Sequence, residues 1–285
     1  MSSLTSKVLI LDSGVGGLSI MSAIQERLPH CEFYFASDND GYPYGPKTAE
    51  YLVPRVGALV NTLIDRISPH IIVIACNTAS TVALPHLREK IALPIVGVVP
   101  AIKPAAQLSH SKVIGLLATP GTISRPYTHQ LIADFAPNCR VISIGSSELV
   151  EIAEAKLRGE AVDIQAIAKI IKPFSEATEH HQPLDTMPLD TIVLACTHFP
   201  LLYPELAALL PSHIRWIDSG DAISRRVEQL IKLHDLPYAN TQFHLQPHQM
   251  RQPVQALFTA ESAKIEQLHA SLKCYGINEI EYIKV

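Results

Sequence analysis

His70-Ile71-Ile72-Val73-Ile74-Ala75-Cys76-Asn77-Thr78 and Thr191-Ile192-Val193-Leu194-Ala195-Cys196-Thr197-His198 are the stretches that decide the fold. Each is a short apolar run ending in a cysteine and small polar residues. Such a run reads as a strand buried on both faces, the pattern of a parallel sheet. In open α/β sheets ligands bind at the carboxyl ends of the strands, which is where each run delivers its thiol. Two thiols carried to equivalent places by two similar units suggest groups facing one substrate from opposite sides. That arrangement suits removal of a proton from one face of a carbon and its return to the other.

The alternation continues on either side. Further strands are expected at residues 7–11, 32–36, 94–98, 112–117, 140–144 and 214–217, with helix-length segments between them, clearest at 48–67, 146–158 and 163–177. In the first of these, Leu52, Val56, Leu59, Val60, Leu63 and Ile67 fall near helical spacing, and Pro54 predicts a late first turn. Strands alternating with helices predict βαβ units around a mainly parallel sheet, an α/β protein. The chain also echoes itself. Ile10-Leu11-Asp12-Ser13-Gly14 and Leu116-Leu117-Ala118-Thr119-Pro120-Gly121-Thr122 both read as a strand ending in a small polar turn, and a cysteine-ended strand follows each. A third turn, Asp218-Ser219-Gly220, opens another helical pattern. The reading is two α/β lobes, residues 1–100 with 212–285 and residues 101–211, crossing near Pro100–Pro104. In the tail, 242–245 and 254–258 are expected as strands, 260–273 as a helix and 280–285 as a last strand. Residues 234–253 read as a surface excursion.

A chain of 285 residues has ample core for two such lobes. Its formal charge of −4 leaves no electrostatic footprint for nucleic acid or a membrane surface. The apolar stretches are too short to span a bilayer and the first residues lack a signal-peptide pattern, so a cytoplasmic protein is expected. The five cysteines, Cys31, Cys76, Cys139, Cys196 and Cys274, are odd in number and widely spaced, which argues for reduced thiols. No C-x-x-C pair points to structural zinc.

A thiol is a poor base at neutral pH unless its thiolate is stabilised by a helix start or a placed donor. Cys76 precedes Asn77-Thr78-Ala79-Ser80, a strand-to-helix turn with cap-type side chains, and Cys196 precedes Thr197-His198-Phe199-Pro200. Backbone N–H groups of these turns, with the Thr78 and Thr197 hydroxyls, suit a substrate carboxylate. A lone buried cysteine is ordinarily a small hydrophobe, which is how Cys31, Cys139 and Cys274 read. Two in matching contexts are candidates for chemistry. Asp12-Ser13-Gly14-Val15-Gly16-Gly17-Leu18-Ser19 departs from the dinucleotide fingerprint, with G-x-G-G in place of G-x-G-x-x-G. Its glycines suit close approach of a small anion to a helix N-terminus, leaving Asp12 to bind an ammonium or orient a base. Tyr42-Pro43-Tyr44-Gly45-Pro46 reads as a lid or a surface loop, Thr119 and Thr122 as caps, and His180 and His181 as loop residues.

Four segments, Asp12 to Ser19, Pro43-Tyr44-Gly45, Ala75 to Ser80, and Cys196-Thr197-His198-Phe199-Pro200, together resemble the signature segments of the glutamate racemases, over about residues 7–234. The resemblance implies two pseudo-symmetric α/β lobes with the active site between them, no cofactor and no metal. The implied reaction interconverts L-glutamate and D-glutamate, supplying D-glutamate for peptidoglycan and so for cell shape. It implies Cys76 and Cys196 as paired acid and base, assisted by Asp12, His198 and a helix glutamate, Glu154 in preference to Glu151. The amino acid would be bound through Asp12, Ser13, Tyr44, Gly45, Asn77, Thr78, Thr197 and His198, to which Thr119 and Thr122 are added as candidates. No nucleic-acid or membrane partner is expected, and a homodimer is left open. The alternatives are an aspartate racemase of the same fold, a non-catalytic amino-acid binding module, and a metal hydrolase ligated by Cys76, Cys196 and His198.

Overall fold

The computed structural model describes residues 5–178, 187–238 and 253–285. Among them the strands are β1 (Lys7–Asp12), β2 (Glu32–Ser37), β3 (Ile71–Ile74), β4 (Ile95–Gly97), β5 (Val113–Ala118), β6 (Arg140–Gly145), β7 (Thr191–Leu194), β8 (Arg215–Ile217), β9 (Val254–Phe258) and β10 (Ile277–Tyr282). They form a six-stranded sheet, order β10-β9-β2-β1-β3-β4, and a four-stranded sheet, order β6-β5-β7-β8. Every pairing is parallel. The described residues of Met1–Val98, Leu157–Gly159 and Gly220–Val285 make one compact unit, and those of Val99–Lys156 and Glu160–Ser219 the other.

The larger sheet explains why its central strands read as unbroken apolar runs. Successive side chains point to opposite faces, and both faces are covered by helices. Val8, Ile10, Ile71 and Val73 join the cluster containing Leu18, Met21 and Ile24 of the helix Leu18–Arg27 and Val227 of the helix Gly220–Leu233. Leu9, Leu11, Ile72 and Ile74 join the other cluster, with Leu52, Val56 and Leu59 of the helix Ala49–Ile67 and Ala83 and Leu87 of the helix Asn77–Lys90. Full burial of each such side chain contributes about 1.5–3 kcal/mol, so these apolar positions of β1 and β3 do not tolerate a polar residue.

The internal echo is structural. The orders β2-β1-β3-β4 and β6-β5-β7-β8 are the same four-strand arrangement met twice. The residue before each strand-end cysteine is held alike: Ala75 N–H donates to the Leu11 carbonyl at 2.7 Å and Ala195 N–H to the Leu117 carbonyl at 2.8 Å.

Some expectations need correction. Residues 212–219 do not return to the first unit, because β8 pairs with β7 (Thr191 with Arg215, Ile192 with Trp216). A three-residue strand carries no local mark of the sheet it will join. The helix Ala49–Ile67 starts on time and runs through Pro54. Pro54 is exposed, where water can take the Glu50 carbonyl that lost its donor. Residues 260–273 form two short helices, Ala263–Glu266 and His269–Lys273, the first capped by Ser262, and the last strand sits earlier than expected. The expected strand at 242–245, most of the 234–253 excursion, and His180 and His181 lie outside the described residues. No helix among the described residues is long and apolar enough to cross a membrane.

Candidate active site

In the first unit three adjacent strands deliver residues to one edge. β1 ends in Asp12, followed by Ser13; β3 is followed by Cys76; β2 leads into the Tyr42–Gly45 turn. Cys76, Asp12, Ser13, Asn77, Thr78 and Tyr44 are all buried, and Gly45 is half-buried. Cys76 is the N-cap residue of the 14-residue helix Asn77–Lys90, with extended backbone and its carbonyl accepting from Ser80 N–H at 2.8 Å. The N-terminal end of the helix dipole places partial positive charge beside the thiol. The Cys76 side chain makes no capping hydrogen bond to this helix. Ser80, expected as a cap-type residue, donates instead to the Ile74 carbonyl (2.9 Å) and accepts from Val98 N–H (3.0 Å), tying the ends of β3 and β4 together. The Nδ2 amide of Asn77 is buried with no partner among the described residues.

The glycine-rich turn works differently from the expectation. Gly17 N–H is taken by the Asp12 carboxylate itself, at 2.7 Å, so that donor does not await an anion. Gly17 is needed because a Cβ there would lie 2.9 Å from Asp12 Cβ and 3.1 Å from Ala75 Cβ. The glycine lets the helix start sit against the two strand ends that present Asp12 and Cys76.

In the second unit β7 ends just before Cys196, and a 3-10 turn, Phe199–Leu202, runs into the six-residue helix Tyr203–Ala208. Cys196 therefore lacks the long helix that Cys76 has. It has a histidine instead. His198 Nδ1 lies 3.8 Å from Cys196 Sγ, and His198 Nε2 lies 2.8 Å from Glu154 Oε1. All three side chains are buried, as is Thr197. Burial alone would pull the imidazole pKa down, but the hydrogen bonds to Cys196 and Glu154 and their negative charge outweigh it and hold His198 well above its ordinary value. A cationic His198 can donate to a Cys196 thiolate. Glu154 lies on the helix Glu148–Leu157, while Glu151, one turn earlier, is exposed. Thr119 caps the helix Pro120–Ser124, its Oγ1 2.9 Å from Thr122 Oγ1, at the strand end beside Cys196.

The remaining cysteines are apart from this chemistry. Burial pushes the Cys31 thiol up to about 12, Cys139 is half-buried and Cys274 is exposed. Among the described residues no group of three or more His, Cys, Asp or Glu could hold a metal ion. Residues that sequence reasoning missed surround Tyr44: Asp38, Arg55 and Thr259 form one network with its phenol. The spacing gave no local signal for it, since Asp38 and Thr259 are 221 positions apart.

Comparison with known proteins places the whole chain. Residues 18–227 match the family model described as Asp/Glu/Hydantoin racemase. A glutamate racemase from Pectobacterium carotovorum is 47% identical over 274 residues, covering 96% of this chain and 90% of that protein. The crystal structure of the Escherichia coli glutamate racemase, in complex with L-glutamate and an activator, is 44% identical with a TM-score of 0.87, covering 99% of each chain. A glutamate racemase isoform from Bacillus anthracis has a TM-score of 0.80 at 24% identity over 98% of each chain, a likeness of fold alone. The chain belongs to the Asp/Glu/hydantoin racemase family and, within it, to the glutamate racemases.

Proposed function

We propose that this racemase interconverts L- and D-glutamate by proton transfer at Cα between two cysteines, without a cofactor. Cys76 takes or gives the proton on one face and Cys196 on the other, with roles exchanged between enantiomers. The observation that carries this reading is the repeated strand end. The same four-strand arrangement presents a buried cysteine twice, one at the start of a 14-residue helix and the other beside His198. The Cα–H of an amino acid is very weakly acidic, so the remaining requirement is donors fixed around the substrate carboxylate before reaction. The N–H groups and hydroxyls of Asn77, Thr78 and Thr197 supply that chemistry, with Thr119 and Thr122 as further hydroxyls. Asp12 and the His198–Glu154 pair serve as the helpers of Cys76 and Cys196, respectively. The D-glutamate formed would supply peptidoglycan.

The test is racemisation of each enantiomer with α-proton exchange in D₂O, in chelator and without added cofactor. Cys76→Ala and Cys196→Ala are each expected to lower turnover by about 10²–10⁴-fold. Near-normal turnover of both enantiomers by either variant would sink the two-base reading. Tight glutamate binding by the wild-type protein with no exchange would favour a binding module, and faster turnover of aspartate than of glutamate would reassign the substrate.

A further inference from the structure

Asp38 follows β2 immediately, and its side chain is fully buried, an unusual place for a carboxylate that touches neither thiol. It is saturated with donors. Arg55 grips it with two nitrogens, Nε to Oδ2 and Nη2 to Oδ1, both at 2.6 Å. Tyr44 donates its phenol proton to Oδ2 at 2.5 Å, and Thr259 donates to Oδ1 at 2.9 Å. Burial pushes the Asp38 pKa up, but the hydrogen bonds from Arg55, Tyr44 and Thr259 prevail and hold it below the ordinary carboxylate value. The Asp38 backbone is anchored as well, its N–H donating to the Asp12 carbonyl at 2.9 Å. A Cβ on Gly41 would lie 2.5 Å from Asp38 Oδ2 and 2.6 Å from Arg55 Nε, so the chain between Asp38 and Tyr44 is folded tightly onto the ion pair.

The end of β9 is locked to the same place. Asn39 Oδ1 accepts from Thr259 N–H at 2.9 Å and from Ala260 N–H at 3.0 Å, while Asn39 Nδ2 donates to the Ala260 carbonyl at 2.6 Å. Tyr44 itself is buried in the apolar cluster that contains Cys76. Burial, the Asp38 charge and proximity to Cys76 all raise its pKa, so the phenol keeps its proton and commits it to Asp38. The end of β9 is thereby joined through one carboxylate to a candidate substrate-binding turn.

We infer that Asp38, Arg55 and Thr259 form a positioning unit that fixes the Tyr42–Gly45 turn beside Cys76, giving the C-terminal segment a part in binding the amino acid. This rests on the glutamate reading above. The unit contains neither thiol and neither helper, so its service is to substrate affinity and not to proton transfer. Losing one charge-assisted hydrogen bond from it corresponds to about a tenfold change in an equilibrium constant.

Two measurements on the full chain test it. Hydrogen exchange of the amides at 41–47 follows the turn without any substrate, and racemisation kinetics follow KM and kcat separately. Tyr44→Phe and Asp38→Asn are expected to speed exchange in the turn and to raise the glutamate KM about tenfold, with kcat within about threefold. Thr259→Val is expected to raise KM by about two- to threefold, and Thr259→Ser, which keeps the hydroxyl, to restore it. Should Asp38→Asn fail to fold, Tyr44→Phe and Thr259→Val carry the test, since both leave the Asp38–Arg55 pair intact. Unchanged exchange at 41–47 in all variants overturns the positioning unit. Faster exchange with a fall in kcat and no change in KM overturns its assignment to binding. Faster exchange in a protein whose wild type racemises no glutamate leaves the unit standing and overturns the glutamate reading alone.

Discussion

His198 shows how one side chain turns two opposing effects into chemistry. Burial disfavours its charge, yet Cys196 on one nitrogen and Glu154 on the other reverse the balance. A pKa raised on folding gives stability that is fully present below the ordinary histidine value and is lost as pH rises through the folded value. Glu154→Gln removes one anionic partner and is expected to destabilise the protein by about 1–3 kcal/mol near pH 6. The loss should shrink as pH rises, which urea melts across that range would detect; a pH-independent loss would mean that His198 is neutral. The cysteines and their neighbouring polar residues were legible from the sequence because a strand and the turn that follows it are contiguous. Asp38, Arg55 and Thr259 were not, because the contacts that unite them cross the sheet between elements remote in sequence.

At the scale of elements, a glycine decides how closely a helix approaches two strands. Gly17 has ordinary right-handed helical backbone angles, so its need is space and not conformational freedom. Gly17→Ala is expected to cost about 1–3 kcal/mol through overpacking against Asp12 and Ala75. It should also lower turnover, since the displaced atoms carry Asp12 and Cys76; a thermal melt with a racemisation assay reads both. The two thiols are placed by equivalent elements but supported by different ones, a 14-residue helix after Cys76 and a 3-10 turn with His198 after Cys196. Strand and helix identities followed from hydrophobic period, which is a local property. Pro54 misled that reading because a proline on an exposed helix face costs less than one whose freed carbonyl is buried.

Across the whole molecule, a carboxylate ties segments together in each unit, buried at Asp38 and half-buried at Asp190. Asp38 anchors β9 in the first. In the second, Asp190 accepts from Ser109 Oγ (2.7 Å), His110 N–H (2.7 Å), Ser111 N–H (3.0 Å) and Thr191 Oγ1 (2.8 Å). Burial pushes the Asp190 pKa up, but these donors outweigh it and lower it to about 2. A depressed folded pKa gives stability present above the ordinary carboxylate value and lost as pH falls through the folded one. Asp190→Asn is therefore expected to lower the Tm by about 2–4 °C at pH 7. The gap to wild type should narrow as pH drops from 4 toward 2; a gap constant with pH would contradict the assignment. The sequence by itself determined the α/β alternation, the internal echo and the two cysteine-ended strands, because period, apolar runs and turn residues act between near neighbours. Only the tertiary structure decided that β8 stays with β7, that Glu154 meets His198, and that Thr259 at the end of β9 reaches Asp38. Each of these depends on which buried polar group finds its hydrogen-bond partner, and burial sets that partner through packing and not through distance along the chain.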